Sequence, residues 1–176
     1  MYLKIVVVKL VLISSFALQA QVRLPRLVRD SMILQRDANV NIWGWASANE
    51  KVSLRFKNKT YKTTAGKNGN WQIKLPPTVA GGPYTIDISA RNKISLKEIL
   101  FGDVWFCSGQ SNMVHELNIH DVSYAKDIAE ANYPQIRQFW IPTMTSLQSP
   151  KNDYPTGYWK SAVGEDVRPF SAVAYF

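Results

Sequence analysis

The sequence predicts two unlike parts, an antiparallel β-sandwich over residues 22–97 and the truncated start of an α/β domain over residues 98–176. Three observations carry this. Residues 22–95 alternate apolar and polar side chains with period two and contain no helical segment, the pattern of half-buried strands. Residues 99–107 then form a nearly continuous apolar run, as expected of a strand covered on both faces. That run stops abruptly in a small polar cluster, Ser108-Gly109-Gln110-Ser111-Asn112.

In the first part, Val40, Ile42 and Trp43 lead into Gly44, and Val52, Leu54 and Phe56 alternate with Ser53 and Arg55. Trp71, Ile73 and Leu75 alternate with Gln72 and Lys74, and Tyr84, Ile86 and Ile88 with Thr85 and Asp87. Asn68-Gly69 predicts a two-residue hairpin turn between strands at 61–64 and 71–75, because both central positions of such a turn need positive φ. Pro76-Pro77 and Gly81-Gly82-Pro83 punctuate the next connections. Short, evenly spaced strands of this kind suit an Ig-like or jelly-roll-like sandwich. Trp43, Trp45 and Trp71 fit its core, with a sugar-stacking platform as the alternative.

In the second part, residues 121–131 predict a helix, with Asp121 as cap and Val122, Ala125, Ile128 and Ala129 along one face. Asn132-Tyr133-Pro134 ends it, and residues 136–141 read as a second strand, completing a βαβ-like unit. Residues 142–169 read as a long surface loop, and Phe170 onward turns apolar again. Cys107, the only cysteine, cannot form an internal disulfide, and its place in an apolar run predicts a small buried core residue.

Composition narrows the class further. Of 176 residues 46% are hydrophobic and 12% aromatic, which supports a packed core and argues against intrinsic disorder. The net charge of +8 is scattered, without a basic run or a nucleic-acid-binding motif, and so predicts a solvated surface and no nucleic-acid partner. Lys4, the apolar stretch 10–18 and Ala17-Leu18-Gln19-Ala20 predict a cleavable signal peptide over residues 1–20 and export, to the periplasm or outside the cell. The apolar stretch is too short to stay behind as a membrane span.

Ser111 stands where a strand delivers a hydroxyl to the C-terminal edge of a sheet, the edge where open α/β folds place their sites. Gly109 would let the chain turn tightly there. Ser111 is then a candidate nucleophile and its own N–H a candidate oxyanion donor, with Gly109, Gln110 and Asn112 as neighbouring candidates. A Gly-x-Ser-x-Gly elbow is excluded, since Met113 stands where its second glycine belongs. Phosphate loops and metal-ligand spacings are absent, so no cofactor or metal is expected.

The stretch Gly102-Asp103-Val104-Trp105-Phe106-Cys107-Ser108-Gly109-Gln110-Ser111-Asn112-Met113 resembles the nucleophile segment of the sialate O-acetylesterase family, a branch of the SGNH (GDSL-like) hydrolases. Met32-Ile33-Leu34-Gln35-Arg36-Asp37, Trp43-Gly44-Trp45-Ala46, Gly69-Asn70-Trp71, Pro134-Gln135-Ile136-Arg137-Gln138-Phe139 and Gly157-Tyr158-Trp159 extend the likeness to nearly all of the chain after residue 22. The resemblance implies a flavodoxin-like hydrolase domain after a β-domain. It also implies Ser111 as nucleophile and O-acetylated sialic acid or another acetylated glycan as substrate. A basic surface would suit an anionic sugar. In such relatives the base is a His held by an Asp three residues earlier, and this chain contains no Asp-x-x-His. Its two histidines, His115 and His120, do not occupy that place, and His115 is read as a site-lining, substrate-binding candidate. Asp103 is expected to hydrogen-bond backbone at the strand. The short α/β part predicts an amino-terminal fragment, with about a hundred residues or more being usual for a domain. The other reading is a non-catalytic glycan-binding β-module.

Overall fold

The computed structural model describes residues 21–176, and the expected signal peptide lies outside the described residues. Seven strands come first: β1 (Ile33–Gln35), β2 (Val40–Trp45), β3 (Lys51–Phe56), β4 (Lys59–Thr64), β5 (Asn70–Leu75), β6 (Gly81–Ser89) and β7 (Lys93–Gly102). Five of them form a sheet in the order β1-β7-β6-β3-β4, and β2 and β5 pair separately. The period-two pattern explains how the two sheets close on each other. Ile42 and Leu75 from the small sheet and Leu54, Ile86, Ile88 and Ile99 from the large one are fully buried in one cluster. Burying each such side chain contributes about 1.5–3 kcal/mol. Trp71 is also buried there, so its ring is not open to a sugar. Gly44 permits the edge contact, because a Cβ there would lie 2.3 Å from the Arg23 carbonyl oxygen.

Two sequence expectations fail in this part. The sheet is not wholly antiparallel, since β1 runs parallel to β7 with Ile33 opposite Leu100. Asn68-Gly69 is not a hairpin, because the chain changes sheets there: β4 pairs with β3 and β5 with β2. Only Gly69 of the pair has positive φ, at 79°, and the turn closes through Gly69 N–H to Gly66 C=O (2.9 Å). The tight hairpin lies one connection earlier, at Lys57-Asn58, where Lys57 takes φ 52° without a glycine to announce it.

The expected boundary at residue 97 falls inside β7, which continues to Gly102. The predicted strand over 99–107 is therefore divided. Residues 99–102 complete the first sheet, whereas 103–109 belong to no helix or strand and have no ladder partner. A strand is covered on both faces only if it has neighbours to hold it. Without them Trp105 is 84% and Phe106 90% exposed, and Cys107 is exposed rather than buried.

Beyond it lie α1 (Asp121–Glu130), β8 (Asn132–Trp140), β9 (Tyr158–Val163) and α2 (Ala172–Tyr175). Helix α1 forms where expected, but His120 rather than Asp121 is its cap residue, and only Ile128 of its four apolar positions is buried. Strand β8 pairs antiparallel with β9, Trp140 opposite Tyr158, so the unit is not βαβ. Strand β9 and the short turn Gly164–Val167 lie within the segment read as loop. Leu117, Ile128, Ala131, Ala162, Val167 and Ala172 make a second small core. Hydrogen bonds distant in sequence clip the two parts together, three of them outside the approach to Ser111. Arg137 Nη1 donates to the Glu98 carbonyl (2.7 Å), Trp159 Nε1 to the Leu27 carbonyl (2.9 Å), and Arg26 N–H to Asp153 Oδ1 (2.9 Å). Burial pushes the Arg137 pKa down, an effect that the nearby Glu98 carboxylate opposes.

Candidate active site

The approach to Ser111 begins on β1. Gln35 Oε1 accepts from Val104 N–H (3.0 Å), Arg36 N–H donates to the Gly102 carbonyl (2.9 Å), and Arg36 Nε donates to Asp103 Oδ1 (2.9 Å). The Gln35-Arg36 pair thus aims the segment that carries the serine. The Asp103 carboxylate accordingly pairs with a side chain rather than with backbone. The Arg36 hydrogen bond holds its pKa below the usual carboxylate range.

Ser111 opens a 3₁₀ turn, Ser111–Val114, after Gln110 in extended conformation. Gln110 C=O accepts from Met113 N–H (2.9 Å), and Asn112 C=O from His115 N–H (3.2 Å). The first N–H groups of such a turn have no partner within it, which leaves the Ser111 N–H for an outside acceptor. Ser111 is exposed, and its hydroxyl has no hydrogen-bond partner among the described residues. Gly109 does not adopt left-handed backbone. What it gives is room, because a Cβ there would approach Met113 Cβ to 3.3 Å.

A cleft of about 350 Å³ lies beside this turn. Ser108, Gly109, Met113 and Val114 form one side, and Phe139, Trp140, Ile141 and Pro142 from the end of β8 form another. Glu116, Phe170 and Ser171 close it. The third wall is held by main-chain bonds, Leu117 N–H to Phe170 C=O (3.0 Å) and Ala172 N–H to His115 C=O (2.8 Å). Ser111 is thus flanked in sequence, on both sides, by residues of the cleft wall. Gln110, Ser111 and Asn112 do not themselves line it.

His115 does not line it either. Its ring stacks on His120 at 4.6 Å between centroids, and its buried Nε2 has no hydrogen-bond partner. Neither histidine is hydrogen-bonded to Ser111, so the two do not form a nucleophile–base pair. Sequence reasoning passed over Trp140 and Glu116. The signal for Trp140 was its place at the carboxyl end of a strand, beside Pro142, where site residues gather. Glu116 offered no such signal. Among the described residues no group of His, Cys, Asp or Glu is arranged to hold a metal ion.

No family model matches the chain. Rat sialate O-acetylesterase is 30% identical over 133 residues, which make up 68% of this chain and 24% of the rat protein. The human sialate O-acetylesterase is 36% identical over 103 residues, 52% of this chain and 20% of its own length. In three dimensions the chain is similar to a carbohydrate acetylesterase from Xanthomonas citri solved by crystallography, with TM-score 0.82 and 35% identity. That match covers 88% of this chain and 36% of the other. The matched stretch thus spans about a quarter of the curated relatives and about a third of the solved one. Over that shared stretch, in sequence and in fold alike, the chain is similar to sialate O-acetylesterases and to a carbohydrate acetylesterase.

Proposed function

We propose that this chain supplies the nucleophile-bearing part of an exported carbohydrate O-acetylesterase. A β-sandwich that runs to Gly102 precedes the opening of a flavodoxin-like SGNH hydrolase domain, and residues 1–20 direct export. The observation that carries the reading is Ser111: an exposed, unpartnered hydroxyl that opens a helical turn, two residues along the chain from the cleft-lining Gly109 and Met113.

Ester cleavage by serine needs the Oγ proton removed as the oxygen attacks. Ser111 Oγ bonds to the acetyl carbonyl carbon, and a base takes the proton. The oxyanion then forms within reach of the Ser111 N–H, with Gly109 giving the acyl group room to approach. Collapse breaks the bond to the sugar oxygen, which leaves with that proton, and water releases acetate from the acyl-enzyme. The family resemblance puts the base on an Asp-x-x-His pair that these 176 residues do not contain. The same resemblance extends the substrate to O-acetylated sialic acids, although the walls of the cleft decide which acetylated sugar enters.

A chimera tests this, with residues 21–176 replacing the equivalent part of the Xanthomonas citri acetylesterase. It should release acetate from acetylated sugars, and Ser111→Ala should lower the rate by about 10⁴-fold or more while leaving the melting temperature unchanged. An undiminished rate in the Ser111→Ala chimera would refute the assignment.

A further inference from the structure

The cleft beside Ser111 has an electrostatic character opposite to that of the whole chain. The sequence carries a net charge of +8, yet no Lys, Arg or His lines the cleft, and its one charged side chain is acidic, Glu116. Glu116 is half-buried, and Asn118 Nδ2 donates to its Oε2 at 2.9 Å. Among the described residues no cation forms an ion pair with it. Nearby basic groups are paired elsewhere: Arg168, whose carbonyl accepts from Asn118 N–H (3.1 Å), pairs with Asp121 and Glu165, Lys160 with Asp166, and Lys126 with Glu130. The rest of the lining is uncharged, with Met113, Trp140, Ile141 and Phe170 among its apolar residues and Ser108, Thr143 and Ser171 among its polar ones. Trp140 is backed by Tyr158, stacked at 5.2 Å and 17°, which fixes the plane of its ring.

From this geometry we infer that the cleft takes a neutral O-acetylated sugar and discriminates against sialic acids, with Glu116 as the discriminating residue. The inference rests on the reading of this cleft as the acetyl-ester site. The sugar's apolar face packs on Trp140, and its hydroxyls find Thr143 and Ser171 as partners. The cleft's volume of about 350 Å³ is enough for one acetylated sugar ring. A sialic acid placed there brings its own carboxylate into the same cleft as Glu116, within one Debye length, about 8 Å at physiological salt. At that range the like charge in the cleft outweighs the scattered surface cations, which are screened. A penalty of tenfold or more in affinity follows for charges separated by about 6–8 Å at an effective dielectric of about 20–30.

The test is isothermal titration calorimetry on the chain with two probes, the methyl glycoside of 6-O-acetylglucose and that of 9-O-acetyl-N-acetylneuraminic acid. The neutral sugar should bind at least about tenfold more tightly. Glu116→Gln keeps an oxygen to accept from Asn118, so it should tighten the sialoside at least about fivefold and leave the neutral sugar within about twofold. Raising ionic strength on the unaltered chain should narrow the gap in the same direction, and this arm does not depend on the variant folding. Equal or tighter binding of the sialoside, a gap that survives both Glu116→Gln and high salt, or binding of neither probe overturns the inference. A sialoside preference alongside Ser111-dependent acetate release by the chimera would sink this inference alone. Acetate release indifferent to Ser111 would remove the esterase reading beneath it.

Discussion

Gly157 couples the packing of the second part to the shape of the cleft, and Gly157→Ala is the perturbation that exposes the coupling. Gly157 is buried just before β9, at the end of the β8–β9 pair where Trp140 faces Tyr158. A Cβ there would lie 2.6 Å from Phe139 Cζ, 3.1 Å from Phe139 Cε1 and 3.2 Å from the Trp140 carbonyl oxygen. No real side chain tolerates the first of these contacts, so something has to move. The Phe139 ring has little freedom, being packed between Tyr154 at 6.1 Å and Trp159 at 5.2 Å. The backbone at Trp140 must therefore yield as well, and with it the cleft wall that Phe139 and Trp140 build. Overpacking of this kind costs about 1–3 kcal/mol. For a chain of this length that corresponds to a fall in melting temperature of about 2–4 °C per kcal/mol, hence roughly 4–8 °C in the middle of the range. Thermal melting followed by circular dichroism measures the first effect. Calorimetric titration with the neutral acetylated sugar measures the second, which should be a loss of about fivefold or more, since a shift of about 1 kcal/mol in a packed wall changes affinity by that factor. An unchanged melting temperature together with unchanged affinity would refute the reasoning that Gly157 sets this wall.

Three further outcomes follow from the fold. Trp71→Ala should destabilise the first part by about 3–5 kcal/mol, read by denaturant unfolding, because a buried aromatic is replaced by a cavity; a small loss would mean that the ring is not part of the core. Arg36→Ala removes the bond to Asp103 and should raise amide hydrogen exchange across residues 103–110 while leaving β2–β5 protected; unchanged exchange would show that Arg36 does not aim the segment. Asp87 is held below the usual carboxylate range chiefly by its hydrogen bond from Arg55, and also by Ser95. Because its folded pKa is depressed, the stability it lends is present above about pH 4, the unfolded value, and is lost as pH falls through the lower folded value. Asp87→Asn should therefore cost under about 1 kcal/mol at neutral pH, the pair being solvent-exposed, and should flatten the acid limb of a stability–pH curve. An acid limb as steep as the unaltered chain's would contradict the linkage.

The parts of the fold that were legible in the sequence are those set by local alternation. Leu54, Ile86 and Ile88 point inward because their strands alternate with period two, and the core follows from that. What alternation does not encode is which strand pairs with which. Asn68-Gly69 carried a strong local hairpin signal, yet the chain turns there in order to change sheets, and β5 finds β2 about thirty residues earlier, Val40 opposite Leu75. The hairpin at Lys57-Asn58 went unread because a lysine holds the left-handed position. At the site, the dodecapeptide around Ser111 was legible as a motif, but the burial assigned to Cys107 was not borne out. An apolar run states what a segment would bury, not whether neighbours are there to cover it, and Trp105 and Phe106 stand exposed for that reason. The site-lining expectation for His115 likewise took nearness in sequence for nearness in space: a 3₁₀ turn lies between, and the ring turns toward His120. Glu116, one position later, is the residue that reaches the cleft.

The central claim is that Ser111 is the group that attacks the acetyl ester. Fluorophosphonate labelling of the chimera, with the modified peptide mapped by mass spectrometry, tests it most directly, because the probe captures whichever hydroxyl is activated. The account predicts a single adduct on Ser111, abolished in the Ser111→Ala chimera. An adduct on Ser108 or on another residue, with Ser111 unmodified, would contradict it.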